Sequence, residues 1–316
     1  MLNTTDEQRN FSSKVSHPVS LVATYAAFAS LNIFLSFTAS LGNILILIAL
    51  HKVTSIHPPT KLLFRCLAVT DLCVGLIIQP LFTVVLLEGT VNSSNKLFFW
   101  GVVYLFQEYS SLILCGVSLL TSTAISVDRL LALLLGLRYR HVVTLRRVRA
   151  LIISFWVLTV AFAWCIFFQL FNISLLAYTV LTFISLIVSA ISYAKIYFRL
   201  RHQLLHVQGL VHEQQQQQQP PSGVVSIPLN VARYKKTVSA IAWIQLGLFA
   251  CYPPVCVFLI SLYLGDSFGG RFLTFCLSLL YLNSSLNPIL YCWKIREVKQ
   301  AVKDTVRQLN CPCEPN

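Results

Sequence analysis

Seven stretches of this chain stay apolar for the length of a membrane crossing, with polar or basic segments between them. They run over residues 22–50, 62–87, 97–132, 150–171, 174–198, 238–264 and 272–293, each matching the ~20 residues a helix needs to cross a bilayer. The pattern predicts an all-α membrane protein built as a seven-transmembrane helix bundle. The last stretch breaks its own rule, because Asn283-Ser284-Ser285-Leu286-Asn287-Pro288-Ile289-Leu290-Tyr291 places amides, hydroxyls and a proline at membrane depth. A polar group without a partner there costs several kcal/mol, so neighbouring helices have to satisfy these. Pro288 also removes a backbone donor and predicts a kink.

Composition agrees. Of 316 residues, 56% are hydrophobic and only 11% charged, and the mean hydropathy is +0.71, values outside the range of soluble domains. The first twenty residues are polar and hold no apolar signal core, so the first span is expected to direct insertion. With the N-terminus extracellular, Arg9, Lys14, Lys96 and Arg271 lie outside, and the remaining Lys and Arg residues lie on inner segments or inner helix ends. That asymmetry predicts a multi-pass protein of the plasma membrane. It also explains the net charge of +13 without nucleic acid, since the basic residues flank spans and form no continuous stripe. They could meet anionic membrane lipids.

The expected organisation is an extracellular segment 1–21, a membrane domain 22–293 with a disordered Gln-rich third inner loop 202–232, and an amphipathic helix and tail 294–316. Sequons at Asn3, Asn10 and Asn92 are candidate glycan sites on the outer side. No pair of cysteines faces that side, so no structural disulfide is expected. Cys311 and Cys313 follow the amphipathic stretch and are candidates for palmitoylation.

Two further spans carry polar chemistry. In the third, Glu108, Ser111, Cys115, Ser118, Ser122, Ile125 and Arg129 recur at helical spacing, which lays a polar stripe along one face. Asp128-Arg129 closes its inner end. In the second, Asp71 sits near the bilayer centre, where an unpaired acid costs ~2.5 to 3.5 kcal/mol. The polar groups within its reach are Asn43, Ser118, Asn283, Ser284 and Asn287. A carboxylate among neutral oxygens and amides, with no Lys or Arg, suits a small hard cation or a proton.

Gly42-Asn43, Leu67-Ala68 to Asp71, Asp128-Arg129, Trp156, Cys251-Tyr252-Pro253-Pro254 and Asn283 to Tyr291 together resemble the landmarks of rhodopsin-like (class A) G-protein-coupled receptors. The resemblance spans residues 22 to 310. It implies a ligand pocket open to the outside and an inner cleft that engages a heterotrimeric G protein. Asp128 and Arg129 then belong to that cleft, and Tyr193, Tyr252, Pro254, Pro288 and Tyr291 to activation switches. Asp71, Ser118, Asn283 and Asn287, with Asn43, correspond to a sodium site, the sodium ion acting as an allosteric modulator. Gln107, Glu108, Ser111, Cys115, Tyr178, Thr182, Phe258 and Tyr281 would line the pocket.

The sequence also departs from the family pattern. Tyr104 stands where the family has its outer cysteine, Ser185 replaces the fifth-span proline, Tyr252 replaces the sixth-span tryptophan and Leu130 the aromatic after Asp128-Arg129. With a very short second outer loop, these give some similarity to the melanocortin, cannabinoid and adenosine branches. Family members that bind amines carry an acid where Ser111 stands, so the expected ligand is an extracellular small molecule, neutral or lipid-like, or a short peptide; Glu108, one turn further out, could hold a basic group. Arg233-Tyr234-Lys235-Lys236 supplies no acid to restrain Arg129, which predicts basal signalling, and Thr305 is the phosphorylatable residue of the tail, so arrestin recruitment there should be weak. A non-signalling receptor-like protein is the alternative. A transporter would show matching interrupted helices in two halves, and the chain has none. No nucleophile with a base, metal cluster or phosphate loop points to an enzyme.

Overall fold

The computed structural model describes residues 4–88, 97–168, 171–216, 246–265, 269–294 and 296–310. Among them, seven helical segments are long and apolar enough to cross a membrane: Leu21–Lys52, Pro58–Glu88, Phe99–Val142, Leu145–Phe167, Ile173–His202, Leu246–Tyr263 and Gly270–Tyr291. The expected bundle is present, but several boundaries move. The first helix begins at Thr4, well before the apolar run. The fourth begins at Leu145, where the Thr144 hydroxyl accepts a bond from the Arg147 backbone N–H and caps the helix. The fifth continues through Gln216, so residues 202–216 of the region expected to be disordered are helical. Gln, Leu and Glu are good helix formers, and an apolar pattern is not needed for a helix to extend beyond a membrane. The Pro220-Pro221 end of that loop, and residues 238–245 of the sixth span, lie outside the described residues.

Two apolar cores fill the bundle. One lies at the end bearing the Arg-rich connection and includes Ile46, Leu50, Leu63, Phe64, Leu67 and Tyr291. The other lies toward the opposite end and includes Val74, Phe82, Leu119, Leu248, Tyr252 and Tyr281. Asp71, Ser118 and the segment Asn283 to Asn287 fall between them, so a buried polar layer separates the cores. Immediately past Asp71 the second span widens into a π-helical turn, Val74–Ile78. Such turns rephase the side chains that follow and recur at functional sites. The fourth span is peripheral, and its exposed Trp164, Phe167 and Phe168 pack as an aromatic cluster at the end away from the Arg-rich connection, as membrane-interface belts do.

The seventh span, a continuous helix through Pro288, can seat against the first because Gly42 has no side chain. A Cβ at Gly42 would stand 2.8 Å from Pro288 Cβ and 2.9 Å from its Cγ, closer than real carbon contacts allow. A proline ring cannot rotate away. Close approach through small residues is how helices associate where no hydrophobic effect drives them together. We expect Gly42→Ala to force the helices apart at a cost of about 1 to 3 kcal/mol, read as a lowered thermal midpoint of the purified protein. Gly101→Ala, where an added Cβ would meet nothing within 4 Å, should leave it unchanged.

After the seventh span, helix Arg296–Asn310 packs on the first span. Val298, Ala301 and Thr305 face inward at helical spacing while Lys299, Lys303, Asp304 and Arg307 are exposed. Thr305 is part of this contact, which corrects its expected role as an accessible phosphorylation site: its hydroxyl donates to the Ala301 carbonyl and accepts from Lys52 Nζ at 3.0 Å. A kinase could reach it only after this helix unwound.

Candidate functional site

The polar layer is built around Asp71, which is fully buried. Ser118 Oγ donates to its Oδ1 at 3.0 Å, Ser284 Oγ to the same oxygen at 2.8 Å, and Asn287 Nδ2 to Oδ2 at 2.7 Å. The third and seventh spans therefore present three donors to one carboxylate on the second. Asn43 of the first span stands one step back, its Nδ2 donating to the carbonyls of Ala39 and Ser284. Its Oδ1 has no hydrogen-bond partner, and neither do the buried Ser122 Oγ and Tyr291 hydroxyl. Asn283 turns its Oδ1 toward the sixth span, 3.9 Å from where a Cβ of Gly247 would stand. Ser284 occupies the place beside Asp71 that the sequence reading had assigned to Asn283. Successive helix positions differ by 100°, and only one of the two neighbours can face the second span.

This donor set fits a small hard cation. The layer offers a carboxylate, two hydroxyls whose lone pairs remain available, and an orphaned amide oxygen at Asn43. No ammonium or guanidinium is bonded to the carboxylate.

Below this layer, at the basic end, the third span closes on a second polar cluster. Asp128 is buried and accepts from Thr60 Oγ1 at 2.9 Å, from the Tyr139 hydroxyl at 2.6 Å and from Arg129 Nη2 at 3.1 Å. Tyr139 belongs to a short helix, Tyr139–Val142, in the connection to the fourth span, and His57 packs against its ring. The guanidinium of Arg129 lies 5.8 Å from the Phe64 ring centroid, and Phe64 also meets Tyr291 edge-on at 5.0 Å. Arg129 Nε has no partner. Gly136, at φ +51°, ends the third-span helix and leaves the next residue, Leu137, 96% exposed.

The residues proposed to line a ligand pocket are only partly brought together. Gln107 Nε2 donates to the Tyr281 hydroxyl at 2.9 Å, and Ser111 Oγ lies 3.0 Å from the same oxygen. Phe82 packs edge-on against the Tyr281 ring. One turn deeper, the Tyr252 hydroxyl donates to the Cys115 carbonyl at 3.1 Å. Tyr178 is buried against Phe162. Thr182 spends its hydroxyl on the Tyr178 carbonyl of its own helix, and Phe258 faces Phe272 near the end of the bundle. Glu108 pairs with Tyr104, one turn away on its own helix. Gln107 Oε1 is buried without a partner. Among the switch residues, Tyr193 packs, together with Leu130 and Leu133 of the third span, against Ile196 and Leu200. The Pro254 carbonyl accepts from Cys276 Sγ at 3.3 Å, tying the sixth span to the seventh.

Sequence reasoning missed Thr60, Tyr139 and Leu137. None belongs to an unusual pattern, since a threonine, a tyrosine and a leucine near a helix end carry no signal by themselves. Of the modification candidates, Asn10 lies within the first helix, outside any loop. Asn3, Asn92, Cys311 and Cys313 lie outside the described residues.

Comparison with known proteins bears on this arrangement. The family profile described as "7 transmembrane receptor (rhodopsin family)" matches residues 42–175, which include Asn43, Asp71, Ser118, Asp128 and Arg129. A relative is the Adenosine receptor A3 of Ovis aries, 26% identical over an alignment of 301 positions that covers 88% of this chain and 88% of the relative. The matched segment runs from within the first span through the fourth. With seven apolar helices among the described residues and Asp71 buried between them, the chain is similar to the rhodopsin-like family of G-protein-coupled receptors.

Proposed function

We propose that the protein binds an extracellular ligand inside the bundle, above Tyr281, and promotes nucleotide exchange on a heterotrimeric G protein at its basic end. In this reading the N-terminus is extracellular and the basic end faces the cytosol, in keeping with the excess of Lys and Arg there. The observation that carries it is Arg129. Its guanidinium is held by an ion pair to Asp128 and lies near the Phe64 ring, and its Nε is unpartnered. An arginine so placed can exchange its intramolecular acceptor for a partner's backbone carbonyls.

The orphaned Oε1 of Gln107, next to the Tyr281 hydroxyl, supports a neutral ligand that donates a hydrogen bond. No carboxylate lies at Ser111 to hold an ammonium. The relative is named as an adenosine receptor, and adenosine is neutral at pH 7, so it is the first compound to apply. Guanine-nucleotide exchange measured in membranes containing the receptor and a G protein tests the reading. Exchange should exceed that of membranes without receptor, and Arg129→Ala should bring it back to that background at equal surface expression. Exchange unchanged by Arg129→Ala would overturn it.

The same reading takes the Asp71 layer as a sodium-type allosteric site. Asp71 would supply the charge, with Ser118 and Asn287 placing its two oxygens and Asn43 offering a further acceptor. The ion would offset the cost of a buried carboxylate.

A further inference from the structure

A cavity of about 440 Å³ opens between the third and fourth spans at the basic end, beneath the helix Tyr139–Val142. Its volume is in the 300–1,000 Å³ range of sites that hold small molecules. Leu120, Val127, Leu131, Val143, Leu151 and Phe155 form apolar walls. Leu151 at its edge is 40% exposed and Val142 is 39% exposed, so the cavity is open on the side where membrane lipid lies.

Three polar residues complete the lining, and they differ in availability: Thr123 spends its hydroxyl proton on the Leu119 carbonyl of its own helix. Asp128 is saturated by Thr60, Tyr139 and Arg129. Arg147 is exposed, and one Nη1 bond to the Val142 carbonyl at 2.8 Å fixes its direction while leaving other guanidinium N–H groups free to donate. Arg138, Arg140, Arg146 and Arg149 are exposed in the same segment, and residues 138–149 contain no acid. The rim is strongly positive and the interior apolar. We propose that this cavity binds an anionic phospholipid of the surrounding leaflet, with an acyl chain along Leu120, Leu151 and Phe155 and its phosphate on Arg147.

The charge complement decides for this occupant. A neutral lipid would leave Arg147 and its neighbours facing water as before, whereas a phosphodiester gives the guanidinium a charge-assisted, forked acceptor. A bound lipid would also hold the helix Tyr139–Val142 against the third span. The proposal concerns binding only and stands apart from whether the receptor couples to a G protein.

Photolabelling tests it. The full-length receptor is placed in phosphatidylcholine nanodiscs containing a trace of phosphatidylglycerol with a diazirine on one acyl chain, illuminated, digested and mapped. Labelling should concentrate on residues 120–131 and 147–155. The same probe with a choline headgroup should label these positions several-fold less. Arg147→Gln should lower the phosphatidylglycerol labelling about fivefold, the effect of one basic residue near an anionic surface. Leu151→Trp, which narrows the cavity and keeps every charge, should lower it as well. Glycerol 3-phosphate, which has the anion without the chains, should not compete. Label spread evenly over all seven spans, equal labelling by the two headgroups, labelling unchanged in Arg147→Gln, or competition by glycerol 3-phosphate would each overturn the proposal.

Discussion

Asp71→Asn should abolish the effect of sodium on the receptor. In the parent protein, replacing sodium by a bulky organic cation at constant ionic strength should raise basal nucleotide exchange and agonist affinity. A tenfold preference of the ion for the inactive arrangement corresponds to ~1.4 kcal/mol. The variant keeps the shape of the side chain and removes its charge, so the ion loses its counter-charge and the two media should give the same exchange rate. The geometry makes the test sharper. Asn287 Nδ2 donates to Asp71 Oδ2 at 2.7 Å, and in Asp71→Asn one of the two amides must flip to avoid opposing donors. The reciprocal exchange Asp71→Asn with Asn287→Asp puts one carboxylate and one amide back in contact. It should recover much of the thermal stability lost in the single variant, because leaving a buried donor unpaired costs ~1 to 3 kcal/mol. Sodium sensitivity equal in parent and Asp71→Asn would place the ion elsewhere and leave Asp71 a structural acid.

Tyr139→Phe should raise basal exchange. The Tyr139 hydroxyl gives Asp128 its shortest hydrogen bond, at 2.6 Å, and also meets Thr60 at 2.9 Å. A hydrogen bond to a charged group contributes ~1.5 to 3 kcal/mol, so its loss shifts the balance away from the arrangement in which Asp128 holds Arg129 by about tenfold or more. Thr60→Val removes the other neutral donor and should act in the same direction. Arg129→Ala must be epistatic: in the double variant with Tyr139→Phe, exchange should return to background. An increase surviving in that double variant would mean that Tyr139 acts on something other than the arginine.

The sequence alone made the seven spans readable because membrane burial leaves a continuous apolar run, and Asp71 stood out because an acid has no business in one without partners. What it could not give was rotation. Asn283 and Ser284 are adjacent and equally polar, and the choice between them depends on the helical phase around Pro288. The Thr60–Tyr139–Asp128 cluster escaped notice for a related reason, since it joins ordinary residues from three segments that only the fold brings together. The extension of the fifth helix to Gln216 was hidden because apolar periodicity reports packing against a neighbour and falls silent where a helix leaves the bundle. Thr305 was legible in retrospect, being spaced with Val298 and Ala301 on the buried face of its helix.

The notch at Gly42 gives the seventh helix a fulcrum. Pro288 rests there with no side chain between the two backbones, while Tyr281 and Tyr291 stand on opposite sides of it along the same helix. At 1.5 Å per residue the arm toward Tyr281 is about 10 Å long and the arm toward Tyr291 about 4.5 Å. A helix that pivots at this point behaves as a reducing lever. A push on Tyr281 returns at Tyr291 in the opposite sense and at a little under half the amplitude. It is delivered against Phe64, the ring that also faces Arg129.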